Sequence, residues 1–191
     1  MSPPLPYNAK LINALAIAIV DHPQATLAEL AKSAGISRAT LYRFCRTREN
    51  LLEVLESEGQ RILYLIISSS HLHSATPNES LHYLIESHLA HRELVGFLGF
   101  RYNPEFLSPQ GNGLRWQNYF SALDAFFLRG QELKAFRIDI SAAVLTELFL
   151  SLVFGIIDAE RRGRAAPRSS VETLEKFFLY GSSCQTAMDA L

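Results

Sequence analysis

The chain is predicted to be all-α, with about nine helices in 191 residues. Three observations predict this. Apolar residues recur three and four positions apart along most of its length, as on one face of a helix. No segment shows the apolar-polar alternation of a half-buried strand. Residues that start or stop helices (Thr26, Gly35, Ser37, Thr47 and Pro77) punctuate the periodic segments.

Each element has its own reason. After a proline-rich tail at 1–6, the first helix is expected over 8–21, with Leu11, Ile12, Leu15, Ala16 and Ile19 as its inward stripe. Thr26 followed by Glu29 fits a capping box and starts a second helix near Leu27, whose inner face holds Leu27, Leu30 and Ala31. Gly35 tolerates positive φ and suits a sharp turn, with Ile36 plugging the space between helices. Ser37 is an N-cap for a third helix that reaches Phe44. On it Leu41, Phe44 and Cys45 point inward, while Arg38, Ala39, Tyr42 and Arg43 point outward. Thr47 caps a fourth helix to residue 69, long enough to link two domains, with Leu51, Leu52 and Leu55 opening its buried face. Further helices are expected at 77–93, 94–102, 114–133, 140–162 and 169–190, separated by Pro, Gly and Asn signals.

Two short helices joined at a glycine, the second with a polar outer face, form the layout of a helix-turn-helix. That motif places its second helix in the major groove of DNA. Charge supports the reading. From Lys32 to Arg48 there are five basic residues and no acidic one. Residues 1–50 carry six basic and three acidic residues, and the remainder twelve and sixteen. The net charge of −1 therefore hides a basic pole on an acidic body, which keeps a phosphate contact local. Arg38 and Arg43 are candidates for guanine, because a guanidinium bonds O6 and N7 together. Thr40 suits a thymine methyl or an adenine.

The segment AGISRATLYRFCRTRENLL resembles the DNA-binding signature of the TetR (tetracycline-repressor-like) family of transcriptional regulators. The match runs from about Lys10 to Leu55 and is strong at Ala34, Gly35, Ser37, Leu41, Tyr42, Phe44, Thr47, Glu49 and Leu51. Two positions depart from the family pattern. His22-Pro23-Gln24-Ala25 stands where a glycine and an aromatic are usual, and Cys45 where an aromatic is usual. The resemblance implies phosphate contacts at Thr26, Tyr42, Thr47 and Arg48. The DNA-reading set is then Thr26, Ser37, Arg38, Ala39, Thr40, Tyr42, Arg43, Thr47 and Arg48, in a DNA-binding domain at 1–50. Residues 51–191 are assigned to ligand binding and dimerisation.

Two expectations concern that second part. The eighth and ninth helices are rich in apolar residues, and the resemblance implies a four-helix homodimer interface using Leu145, Leu152, Phe149, Ile156, Leu174, Phe178 and Gly181. A dimer also suits two half-sites ~34–36 Å apart. The alternative is that the eighth helix is simply the central core helix of its domain, and both can hold. The fifth to eighth helices hold many aromatics, and in this family that region encloses an effector pocket. Phe97, Phe100, Tyr102, Trp116, Tyr119, Phe120 and His88 are the candidates for a small, mostly apolar ligand. A plain aromatic core is the alternative reading.

Composition narrows the rest. An apolar content of 48% and a mean hydropathy near zero indicate a globular chain. Cys45 and Cys184 suit reduced thiols in a cytoplasm. The start MSPPLPYN lacks a basic and an apolar region, so no signal peptide is expected. The apolar run at 148–157 is shorter than the ~20 residues of a span, so no membrane partner is expected. His88 and His91 share a helix face, with His82 earlier, but no third ligand follows at a telling spacing. No metal, cofactor or catalytic residue is expected, because no nucleophile-base order or phosphate loop stands out. The partners expected are double-stranded DNA, an effector and a second copy of the chain. The rival reading is a ligand-binding or protein-interaction module with no operator of its own.

Overall fold

The structure, a computed structural model, describes residues 9–101 and 113–182. Among these residues there are nine helices and no strand. They are α1 (Ala9–Asp21), α2 (Leu27–Ser33), α3 (Arg38–Phe44), α4 (Arg48–Ser69), α5 (Pro77–Ala90), α6 (Arg92–Arg101), α7 (Gly113–Glu132), α8 (Ala142–Arg161) and α9 (Pro167–Ser182). The candidate ligand residue Tyr102 and the expected end of the last helix at 183–190 lie outside the described residues.

Most boundaries follow the expected caps, and three shift for local reasons. The break between α5 and α6 falls at His91, whose carbonyl accepts from the Val95 amide (3.0 Å) and starts the new helix. Ser141 is the N-cap of α8, accepting from the Val144 amide, so the helix opens two residues later than expected. Pro167 opens α9 earlier than expected, at a position where its missing N–H leaves no bond unmade.

The chain divides into two compact units, Met1–Ile62 with His91–Tyr102, and Leu63–Ala90 with Asn103–Leu191. In the first, α1 packs against α2 and α6, and α2 against α3. Its core joins Ile12, Leu15, Ala16 and Ile19 of α1 to Leu30, Leu41, Leu51, Leu55 and the α6 residues Leu94, Val95, Phe97 and Leu98. Leu11, Leu27 and Phe44, read as inward-facing, are half-buried. Arg101 of α6 donates to Glu56 of α4 (3.0 and 3.1 Å), and Asn13 of α1 to Glu93 (3.3 Å).

In the second unit α8 packs against α5, α7 and α9, and α5 against α9. Phe126, Phe127, Phe136, Phe149 and Phe178 stack with ring centroids 4.9 to 6.1 Å apart. Offset and edge contacts of this kind add to area burial. Phe136 lies directly on Gly130, where a Cβ would sit 2.1 Å from its ring. Gln131 Nε2 donates to the carbonyls of Arg137 (2.7 Å) and Ile140 (2.6 Å) and so ties down the turn between α7 and α8. The apolar run at 148–157 belongs to this 20-residue α8, which is long and apolar enough to cross a membrane by length and composition alone. Of its most apolar stretch, 33% is buried.

Candidate nucleic-acid interface

The turn between α2 and α3 is built as a Schellman motif. Ala34 is the C-cap of α2, and Gly35 follows with φ +68°. The Ile36 amide donates to Ala31 O (2.9 Å) and the Gly35 amide to Lys32 O (3.1 Å). A Cβ at Gly35 would meet nothing within 4 Å, so the backbone conformation, not space, calls for glycine. Ser37 then caps α3, its hydroxyl accepting from the Thr40 amide (3.0 Å) and sharing a hydrogen bond with the Thr40 hydroxyl (2.8 Å). Leu41 and Cys45 anchor α3 to the core, and burial pushes the Cys45 thiol above its ordinary pKa.

The opposite face of α3 is open. Arg38, Ala39, Tyr42 and Arg43 are exposed, Tyr42 to 52%. Arg38 and Arg43 have no hydrogen-bond or ion-pair partner among the described residues. A helix that holds two unpaired guanidinium groups and an aromatic outward, on a rigid cap-to-cap turn, presents donors to an external acceptor surface.

Of the expected phosphate contacts, Thr26, Thr47 and Arg48 flank this helix, and the structure shows what each of these side chains already does. Thr26 caps α2 in a reciprocal capping box. Its amide and hydroxyl both donate to Glu29 Oε2 (2.8 Å each), and its hydroxyl accepts from the Glu29 amide (3.4 Å). Those donors hold the Glu29 carboxyl below its ordinary pKa. Thr47 caps α4, accepting from the Asn50 amide (3.1 Å). Arg48 donates Nη2 to Pro23 O (2.6 Å), a contact across 25 residues of sequence that was not legible beforehand.

The candidate ligand residues fall into different units. Phe97, fully buried, and Phe100, exposed, belong to the first. His88, Trp116, Tyr119 and Phe120 belong to the second. There His88 and Tyr119 are brought together, with His88 Nε2 2.5 Å from the Tyr119 hydroxyl and Nδ1 2.6 Å from Leu84 O. Phe149 meets the His88 ring edge-on at 5.5 Å. Ile85, Phe149, Leu152, Val153, Leu174 and Phe178 border an apolar void too narrow for water. Arg129 of α7 donates to Leu72 O (3.0 Å) and Ala75 O (2.8 Å), holding the turn that follows α4. No sequence signal marked Arg129, because carbonyl acceptors leave no trace in residue type.

The candidate dimer residues divide by depth. Leu145, Phe149, Leu174 and Phe178 are buried within the protomer, and Leu152 and Ile156 are half-buried. Gly181 is exposed. The open apolar surface on these two helices is instead Val144 and Leu148 on α8, with Phe177 (67% exposed) and Tyr180 (82%) on α9.

Cap, turn and outward basic face together define a helix-turn-helix DNA-binding regulator. The chain is similar to the HTH-type transcriptional regulator NfxB of Pseudomonas aeruginosa, 59% identical over 177 residues that cover 93% of this chain and 95% of that one. Its fold is that of the TetR-like regulator LfrR of Mycobacterium smegmatis in complex with proflavine, with TM-score 0.68, 20% identity, and 90% and 93% of the two chains covered. It is also that of the ketosteroid regulator KstR2 of Mycobacterium tuberculosis, with TM-score 0.72, 16% identity, and 94% and 97% covered. No family model matches the chain. The chain belongs to the TetR-like family of helix-turn-helix transcriptional regulators.

Proposed function

We propose that the protein is a cytoplasmic, ligand-responsive repressor that binds a palindromic operator as a homodimer. The observation that carries the reading is the outward face of α3, where Arg38 and Arg43 have no partner among the described residues. α3 enters the major groove, with Arg38 and Arg43 reading guanine and Thr40 and Ala39 meeting neighbouring base edges. Ser37 sets the start of the helix. Thr26, Tyr42 and Thr47 contact the phosphates, which position the helix without reading sequence.

The dimer forms through α8 and α9. Leu145, Phe149, Leu174 and Phe178 supply the inner side of these helices. Val144, Leu148, Phe177 and Tyr180, with Leu152, Ile156 and Gly181, supply the side open to a partner. A two-fold pairing buries the same patch on both copies.

The effector is a small, mostly apolar or aromatic molecule held in the ligand-binding domain, with the buried His88–Tyr119 pair as a polar anchor. The proflavine in the LfrR complex makes a planar aromatic the first probe to try. α4 runs through both compact units, so a ligand that prefers one α4 position changes the spacing of the reading heads. No catalytic step is part of this reading.

Titrating purified protein onto duplex DNA at several salt concentrations tests it. The expected result is two or more protomers per duplex and a log affinity that falls linearly with log salt. One protomer per duplex, or salt-independent binding, contradicts it.

A further inference from the structure

We propose that Arg48 serves DNA binding as a positioning residue, by clamping the α1–α2 turn, and not as a phosphate contact. The inference rests on the DNA-binding reading above. The chain between α1 and α2 folds as a β-turn in which the Ala25 amide donates to His22 O (3.0 Å), with Pro23 at the second position. The Pro23 carbonyl lies in the middle of that turn. Arg48 takes it up, Nη2 to O at 2.6 Å.

The turn lies at the surface. Asp21, His22, Pro23 and Gln24 are all exposed. An open concavity of about 760 Å³ lies beside them, bordered by Asp21, Gln24, Glu29 and Lys32. Arg48 itself is well placed to act as a fixed point. It is the first residue of α4, and Thr47 caps that helix through the Asn50 amide. Three residues beyond Pro23 stands Thr26, the cap of α2.

The clamp therefore links the caps of two helices, and Thr26 and Thr47 are the two threonines assigned to phosphates. Their separation must match two fixed points on the duplex, and a loop free to drift would pay that ordering cost on binding. A guanidinium aimed at a carbonyl in the free protein removes the drift beforehand.

Arg48→Ala in the full chain separates the two roles. Hydrogen exchange is read on the DNA-free protein at the Ala25 and Thr26 amides, whose bonds to His22 O and Glu29 report the turn. Positioning predicts exchange at least about tenfold faster. It also predicts about tenfold weaker binding to the best duplex recovered from a random pool, with the salt slope unchanged. Unchanged exchange overturns the proposal. So does a salt slope smaller by about 0.9, the signature of one lost phosphate contact. If the unaltered protein shows no salt-dependent DNA binding, the DNA-binding reading fails, and exchange alone still decides whether the clamp exists.

Discussion

His88 Nε2 and the Tyr119 hydroxyl lie 2.5 Å apart inside the aromatic core of the second unit. The partner of the other ring nitrogen settles the direction of the bond. Leu84 O accepts only, so Nδ1–H donates to it, and in the neutral ring Nε2 accepts the tyrosine proton. Burial pushes the Tyr119 hydroxyl well above the ordinary tyrosine pKa, which keeps that proton in place. Tyr119→Phe removes the hydroxyl that donates to this buried ring nitrogen. The expected loss is about 1–3 kcal/mol of unfolding free energy, measured by urea denaturation. A variant as stable as the parent would show that the pair adds nothing.

Arg38 and Tyr42 share the open face of α3, and the proposed function gives them different roles. Arg38→Ala is expected to lose about 1–3 kcal/mol at one base pair and to relax specificity there. Tyr42→Ala is expected to weaken binding to all duplexes about equally. Competition binding with single-base-pair operator variants distinguishes them, and identical profiles would contradict the assignment.

Gly35 is held by backbone conformation alone, since a Cβ there meets open space. Gly35→Asn is therefore expected to cost little, because asparagine visits the left-handed region. Gly35→Val is expected to cost over about 1 kcal/mol and to weaken DNA binding, because a β-branched residue resists φ +68°. Equal melting temperatures for the two variants would refute this account of the turn.

On the proposed dimer, Leu148 and Phe178 separate pairing from folding. Leu148 is open on α8, whereas Phe178 is buried between aromatic rings. Leu148→Glu is expected to leave a folded protomer that sediments as a monomer. Phe178→Ala is expected to cost about 3–5 kcal/mol of stability. A Leu148→Glu protein that still sediments as a dimer would remove this face from the interface.

Glu29 and Glu79 close matching capping boxes with Thr26 and Thr76, and both carboxyls are held below their ordinary pKa by hydrogen bonds from those threonines. A lowered folded pKa means the stabilisation is present above the unfolded value. It is lost as pH falls through the folded one, in the window below about pH 4.3. The Glu29→Gln, Glu79→Gln double variant is expected to show a shallower acid limb in thermal melts between pH 5 and about pH 3. An unchanged limb would mean that other carboxylates govern acid unfolding.

The helix-turn-helix was legible because its logic is local. Thr26 with Glu29, Gly35, Ser37 and Thr47 each act within a few residues of their own position. The helix count was legible for the same reason. The second unit was less so, since an apolar residue on α8 or α9 has the same sequence signature whether it faces its own core or a partner. Leu145 and Phe149 were therefore grouped with Ile156, though the structure buries the first two and half-buries the third. The clamps made by Arg48 and Arg129 were invisible, because their acceptors are backbone carbonyls set by tertiary folding.

The central claim is that α3 reads sequence as one of a pair, and selecting bound duplexes from a random pool at physiological salt tests it most directly. The account predicts a palindrome whose half-sites sit about one helical turn, or a multiple of it, apart. It also predicts that Arg38→Ala blurs one base in each half. Recovery of no consensus, with only salt-sensitive retention of DNA, would contradict it and leave the helical body as a ligand-binding or interaction module.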